Sequence, residues 1–78
     1  MKLKTINENR DFILKYLPNL DEVLKSNDIN DFLDEWDWAI QLYGFTDYPS
    51  DHPMFGYSDL GFEMQDIYDL VYLENEDD

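Results

Sequence analysis

Cysteine is absent from this 78-residue chain, and histidine and serine are scarce. The absence of cysteine excludes disulfides, thiolate nucleophiles and cysteine-ligated zinc, and it suits a reducing cytoplasm, where we expect the protein to act. His52 is the only histidine, so no histidine cluster can bind a metal, and no serine lies in a Gly-x-Ser-x-Gly elbow. The sequence therefore indicates no enzyme, no metal site and no cofactor.

Lysine and arginine are absent from residues 26–78, because all five basic residues lie within residues 1–25. Fifteen of the 19 acidic residues lie in residues 26–78, among eleven aromatic rings, and the net charge of the chain is −14. Such an acidic surface would repel nucleic acid and anionic membranes, so we expect neither to bind directly. Acids interleaved with large amphipathic rings instead suit the recognition of a basic protein partner.

Long apolar runs are also absent from the sequence. No window approaches the roughly 20 apolar residues that cross a bilayer, and the first residues lack the apolar segment of a secretory signal. With 44% hydrophobic and 17% aromatic residues, the chain lies outside the composition typical of disordered proteins. We therefore expect one folded domain over residues 1–78, built around a single core.

Apolar spacing predicts an all-α fold, a small bundle of three to four helices with one long aromatic-rich loop between the last two. Thr5-Ile6-Asn7-Glu8 fits a capping box at the start of the first helix. Pro18 ends that helix after Leu17, because proline cannot donate a backbone hydrogen bond and restricts the residue before it. Asn19 can cap a shorter second helix from Leu20 to Lys25.

The third predicted helix is the most regular segment of the sequence. Asp28 can cap it, and it runs from Ile29 to Tyr43. Gly44 closes it, because glycine tolerates the left-handed conformation that commonly ends a helix. Its apolar stripe comprises Ile29, Phe32, Leu33, Trp36, Ile40 and Tyr43.

The last predicted helix follows a loop of about a dozen residues, Phe45 to Tyr57, a length that is often functional in a small domain. Ser58 or Asp59 starts the helix, which continues through Leu73. Its predicted buried stripe comprises Leu60, Met64, Ile67, Leu70 and Val71. Residues 74–78 form an acidic tail at the negative end of the helix dipole, where we expect fraying.

Trp38 is the sharpest candidate for a functional residue. At about 100° per residue it points nearly opposite Trp36 on the same helix, so one of the two cannot belong to the core. Trp36 lies on the apolar stripe, whereas Trp38 shares its face with acidic residues. Two possibilities follow: a second layer of structure, such as the loop, covers Trp38, or Trp38 is exposed as a binding hot spot.

The loop has the same mixture of acids and rings, and its prolines limit the entropy that it would lose on binding. Phe45 and Phe55 are predicted to fold back as a lid over the core, whereas the hydroxyls of Tyr48 and Tyr57 favour a water-facing or interfacial position. The predicted partner-binding residues on the third helix and the loop are therefore Asp31, Asp34, Glu35, Trp38, Asp47, Tyr48, Asp51 and Tyr57.

In size, charge and this acid-plus-aromatic surface, the chain resembles the immunity proteins and antitoxins that neutralise bacterial nuclease toxins. It also resembles the phage proteins that imitate DNA to block restriction or CRISPR enzymes. Both resemblances imply a mechanism in which carboxylates occupy the sites where an enzyme's lysines and arginines would hold phosphates. We expect the chain to be a monomer before it binds. We favour the immunity protein, because rings among the acids suit a tailored protein interface better than a phosphate ladder. A non-inhibitory acidic interaction module is the alternative.

Overall fold

The computed structural model describes residues 1–76, which contain five helices and no β-strand. The helices are α1 (Lys4–Glu8), α2 (Arg10–Tyr16), α3 (Leu20–Leu24), α4 (Ile29–Tyr43) and α5 (Asp59–Glu74). The all-α class is therefore confirmed. The described residues contain more helices than the predicted three to four, because the first predicted helix is divided at Asn9.

The division between α1 and α2 is stabilised by Asn9. Its backbone is not helical (φ −116°, ψ 20°), and its backbone N–H donates to the carbonyls of Thr5 and Ile6 at 3.2 Å each. Its side-chain amide also donates to the Thr5 carbonyl at 2.8 Å. One asparagine thus satisfies carbonyl groups at the end of α1, as a short polar side chain does at helix ends.

The predicted capping box at Thr5 is wrong. Helix α1 begins at Lys4 after Leu3, and no side chain caps it locally. The backbone N–H of Thr5 instead donates to a carboxylate oxygen of Glu74, in the last turn of α5, at 3.2 Å. A tertiary contact with Glu74 therefore supplies the acceptor for the Thr5 N–H that the capping box assigned to Glu8.

The predicted caps of the two long helices are confirmed. The Asp28 carboxylate accepts from the backbone N–H of Asn30 at 2.9 Å and begins α4. The Ser58 hydroxyl accepts from the backbone N–H of Gly61 at 3.2 Å and begins α5. In both cases a side-chain oxygen satisfies one of the free N–H groups of the first turn.

The core lies between α4 and α5 and is covered by the three short helices. Trp36 is fully buried at its centre, and its indole N–H donates to the carbonyl of Met64 at 2.8 Å. The Phe32 ring stacks on it, with ring centroids 6.0 Å apart. The prediction of Trp36 as a core residue is therefore confirmed. The buried residues are Ile6, Ile13, Leu17, Leu20, Phe32, Leu33, Trp36, Ala39, Ile40, Met64, Ile67 and Val71.

Two residues of the predicted apolar stripes lie outside the core. Leu70 is 53% exposed, because it lies about 100° around α5 from the buried Val71, beyond the edge of the core-facing side. Tyr43 is 52% exposed. Its ring packs against Tyr16 of α2, with centroids 5.5 Å apart, at the last residue of α4.

Gly44 ends α4 as predicted, but for a different reason. Its φ of −95° is not left-handed, so the predicted conformation is wrong. Its backbone instead touches Gly61 in the first turn of α5. A Cβ atom at Gly61 would lie 2.0 Å from the carbonyl oxygen of Gly44. That oxygen also accepts from the backbone N–H of Ser58 at 2.9 Å and from its hydroxyl at 3.2 Å.

The two ends of the described chain lie side by side. The backbone N–H of Lys2 donates to the side-chain oxygen of Asn75 at 2.7 Å, and the Asn75 amide donates back to the Lys2 carbonyl at 3.1 Å. In the predicted frayed tail, Glu74 is the last residue of α5 and Asn75 makes this contact, while residues 77 and 78 lie outside the described residues.

Candidate binding surface

The outward face of α4 brings together four of the predicted partner-binding residues. Asp31, Asp34, Glu35 and Trp38 are all exposed, opposite the core-facing side that contains Trp36. Trp38 is 60% exposed, and it makes no ring contact within residues 1–76. The possibility that the loop covers Trp38 is therefore wrong, and the role of Trp38 as a binding hot spot stays a prediction.

The acids of this face form no ion pair with any residue that the structure describes. The ion pairs among the described residues are Arg10 with Asp21 and Lys25 with Glu22, so each uses an acid from residues 1–25. No carboxylate between residues 26 and 76 forms an ion pair with a described residue. The negative field of α4 is thus not neutralised within this part of the chain.

A shallow groove of about 280 Å³ runs between α3 and α4 at the edge of this face. Glu22, at its α3 side, accepts from the Lys25 ammonium at 2.9 Å, whereas the α4 acids that line the groove have no ion-pair partner within residues 1–76. A lysine or arginine side chain of a partner could enter it. Its lining residues are Glu22, Val23, Ser26, Asp31, Asp34 and Glu35.

The negative charges of α4 also act on Tyr68 of α5. Burial raises the pKa of its hydroxyl above 10.0, and the negative charges of Asp37 and Asp34 raise it further. The α4 carboxylates therefore act across the junction between the two long helices. An added positive charge near them would be attracted for the same reason.

The loop is closed at its base by backbone pairing. Phe45 and Tyr57 form an isolated antiparallel bridge, and the Thr46 N–H donates to the Gly56 carbonyl at 2.9 Å. These paired backbone segments, Phe45 with Tyr57 and Thr46 with Gly56, form the backbone neck of the loop, and they fix the distance between its two ends. The loop is consequently anchored to the end of α4 and the start of α5.

The loop phenylalanines do not form the predicted lid over the core. Phe55 is 43% exposed, and neither Phe45 nor Phe55 belongs to the residues packed against the core. Phe45 stacks on Phe55 and on Tyr57, with centroids 5.7 and 5.0 Å apart, and Tyr57 meets the edge of Phe62 at 5.7 Å. The rings pack against one another instead, and Phe55, Tyr57 and Phe62 remain exposed.

The four predicted loop contacts are exposed, as is needed for binding. Tyr48 is 46% exposed and stacks on His52, with centroids 4.5 Å apart, while Tyr57 is 38% exposed and its hydroxyl donates to Gln65 of α5 at 3.4 Å. Asp47 and Asp51 are also exposed. Their role in binding stays a prediction.

The structure therefore contains two groups of candidate residues, one on the face of α4 and one in a loop held against α5. Leu42, which is 61% exposed one turn beyond Trp38, is missing from the predicted set. Its spacing of four from Trp38 was the signal that could have found it. Among residues 1–76, no three histidine, aspartate or glutamate side chains are grouped so that they could hold a metal ion, and no helix could cross a membrane.

Comparisons with protein-family models, with curated proteins and with solved structures find no match to this chain. The chemistry of the surface itself therefore carries the functional inference.

Proposed function

We propose that this protein is a binding inhibitor that neutralises a basic, nucleic-acid-cleaving bacterial toxin domain by covering its basic active-site surface, as an immunity protein or antitoxin does. The observation that carries the proposal is the exposed Trp38, surrounded on α4 by carboxylates that have no cationic partner among the described residues. In this proposal the carboxylates take the places of nucleic-acid phosphates on the toxin.

The charge of the chain supports fast capture of such a partner. A net charge of −14 on a molecule of 9.4 kDa produces a strong negative field. Opposite fields can raise association rates by roughly 10- to 1,000-fold at low salt. An immunity protein must bind its toxin before the toxin reaches nucleic acid, so rapid association is the property that this function requires.

Trp38 supplies the specificity that charge alone lacks. A guanidinium or ammonium group of the partner can lie over its ring while the nearby carboxylates of Asp34 and Glu35 receive hydrogen bonds. The ring is on a helix whose opposite face is fixed in the core through Trp36. The helix backbone would therefore lose little conformational entropy on binding, which favours affinity.

One observation favours the DNA-mimic alternative. The molecule is elongated, with extents of 39 × 25 × 19 Å. Asp28, the cap residue of α4, and Asp31 and Asp34 within the helix recur every three residues, about 4.5 Å apart along the axis. Phosphates of one DNA strand advance about 3.4 Å each. The exposed Trp38 on the same helix has no counterpart in a row of phosphates, and we therefore keep the immunity protein as the first proposal.

The test begins with the genes beside the one that encodes this chain. A neighbouring reading frame that ends in a small basic nuclease-like domain supplies the partner, and its nuclease activity is measured with and without this protein. We expect loss of activity and a complex at low salt. Retained activity within a stable complex would favour a non-inhibitory module, and capture of a restriction or CRISPR nuclease would favour the mimic. No complex at low salt would refute both inhibitor proposals.

Trp38→Ala is the decisive variant for the surface. We expect it to weaken binding to the partner by about 2 kcal/mol or more, the scale of a hot spot. Tyr72→Ala is the matched control, because Tyr72 is an exposed aromatic residue of α5, 53% accessible, outside the proposed surface. Calorimetry with both variants, each checked for its fold by circular dichroism, measures the difference. Equal affinity of the Trp38 variant and the parent chain would remove Trp38 from the interface.

A further inference from the structure

The outward face of α5 carries exposed apolar side chains that the proposed inhibitor surface does not use. Phe62, Leu70 and Leu73 are 57%, 53% and 59% exposed. At about 100° per residue these three side chains fall within one quarter of the helix circumference, with the exposed acid Asp66 among them and Glu63 at the edge of the same face. Leucine and phenylalanine grouped on one face of a helix mark a candidate interaction surface.

This face borders a groove between α2 and α5 of about 310 Å³. Its apolar side is formed by Phe12, Ile67 and Leu70, of which Ile67 belongs to the core and Phe12 packs against it. Glu63, Asp66 and Asn9 supply the polar groups of its lining. The groove therefore combines an apolar floor supported by the core with negative charge beside it.

We propose that the groove between α2 and α5 is a docking site for a basic amphipathic helix of a partner protein. The acids define the charge of the occupant, because Glu63 and Asp66 have no ion-pair partner among the described residues. The apolar floor defines its other face, on which one leucine-sized side chain would contact Phe12 and Leu70. This proposal is independent of the inhibitor function assigned to α4 and the loop.

A helix is the backbone form that suits this surface. The groove is walled by two helices whose backbone groups bond internally, so it has no strand edge to which an extended peptide could add. A docked segment must therefore satisfy its own N–H and C=O groups, as a helix does. Helix α5 is about 24 Å long. A partner helix that lies alongside it could place apolar side chains, spaced by three and four residues, against its exposed face.

The probe for this site is a fluorescein-labelled peptide of about four helical turns, with leucines at spacings of three and four among lysines. Its control has the same length and charge, with serine in place of leucine. We expect the leucine peptide to bind at low salt and Leu70→Ala to weaken its binding by about tenfold or more. Leu42→Ala, an equivalent loss from an exposed leucine of α4, should change the affinity by less than about twofold.

Nuclear magnetic resonance locates the bound peptide without any substitution. Binding in the groove should shift the side-chain amide of Asn9 and the methyl groups of Leu70, and leave the indole N–H of Trp38 in place. The opposite pattern, or equal losses in the two leucine variants, would overturn the proposal and assign the peptide to α4. The proposal also fails if the serine peptide binds as tightly as the leucine peptide, or if neither binds at low salt.

Discussion

Substitution of Gly61 by alanine tests how α4 and α5 meet. A Cβ atom there would lie 2.0 Å from the Gly44 carbonyl oxygen and 2.8 Å from its carbonyl carbon, where ordinary van der Waals contact begins near 3.4 Å. The clash is with backbone, so no side-chain rotation can relieve it. The two helices must separate by more than an ångström, or the first turn of α5 must deform.

The cost of Gly61→Ala follows from three terms. Overpacking a tight contact costs about 1 to 3 kcal/mol, and the upper end applies because the obstacle is rigid backbone. Displacing the Gly44 carbonyl also weakens its two hydrogen bonds from Ser58, at about 1 kcal/mol for a typical bond. The better helix propensity of alanine offsets at most about 1 kcal/mol of this loss in the free energy of unfolding. We expect a net loss of about 3 kcal/mol in the free energy of unfolding.

Urea unfolding followed by tryptophan fluorescence and circular dichroism measures this loss, because Trp36 becomes exposed on unfolding. Glu63→Ala, an alanine substitution on the exposed side of α5, is the control and should stay within about 0.5 kcal/mol of the parent. Gly44→Ala and Gly61→Ala should combine to less than the sum of their effects, because each opens the same contact. A Gly61 variant as stable as the parent would refute the close crossing of the two helices.

Three further predictions concern stability. Trp36→Phe should lower the free energy of unfolding by about 2 to 3 kcal/mol in urea titrations, because it removes the bond to the Met64 carbonyl and leaves a cavity. Raising the salt concentration should raise the melting temperature, because screening reduces repulsion within a chain of net charge −14; a melting curve unchanged by salt would argue against this. Tyr68 holds its proton to higher pH in the folded state than in the unfolded state, so its contribution to stability is lost as the pH rises above about 10. Tyr68→Phe should reduce that loss in alkaline unfolding experiments, and ultraviolet titration should show one fewer late-titrating tyrosine.

The two long helices could be predicted from the sequence because their signals are local. Asp28 lies two residues before the N–H group that it caps, and Ser58 lies three residues before the N–H that it accepts from. The first helices could not be predicted as well, because the acceptor for Thr5 is Glu74, at the other end of the chain. A capping motif identifies a possible hydrogen bond, and tertiary structure decides whether that bond forms.

The role of the glycines illustrates the same limit. At the end of a helix, Gly44 fits the usual pattern of a left-handed cap, and Gly61 weakens the prediction of α5. Each position instead needs glycine because of the other, since the backbones of Gly44 and Gly61 come into contact where α4 and α5 cross. Contacts between helices that are joined by a long loop leave no periodic signal in the sequence. The exposure of Leu70 was also missed from the sequence, although its position about 100° around α5 from Val71 lies beyond the core-facing side.

The aromatic rings of the candidate surface are supported in two different ways. The periodicity of α4 indicates the support of Trp38, whereas the loop sequence does not indicate how the loop rings are held. Trp38 lies on a helix whose other side is anchored in the core, so its backbone position relative to the α4 carboxylates is fixed. The loop rings are held by the backbone neck and by stacking on one another, with Tyr48 resting on the exposed His52. A partner could rearrange the loop at lower cost than α4. We therefore expect the loss of affinity to be larger for Trp38→Ala than for Tyr48→Ala. A rearrangement of the loop can compensate for the lost Tyr48 ring, whereas α4 cannot move to compensate for the lost Trp38 ring.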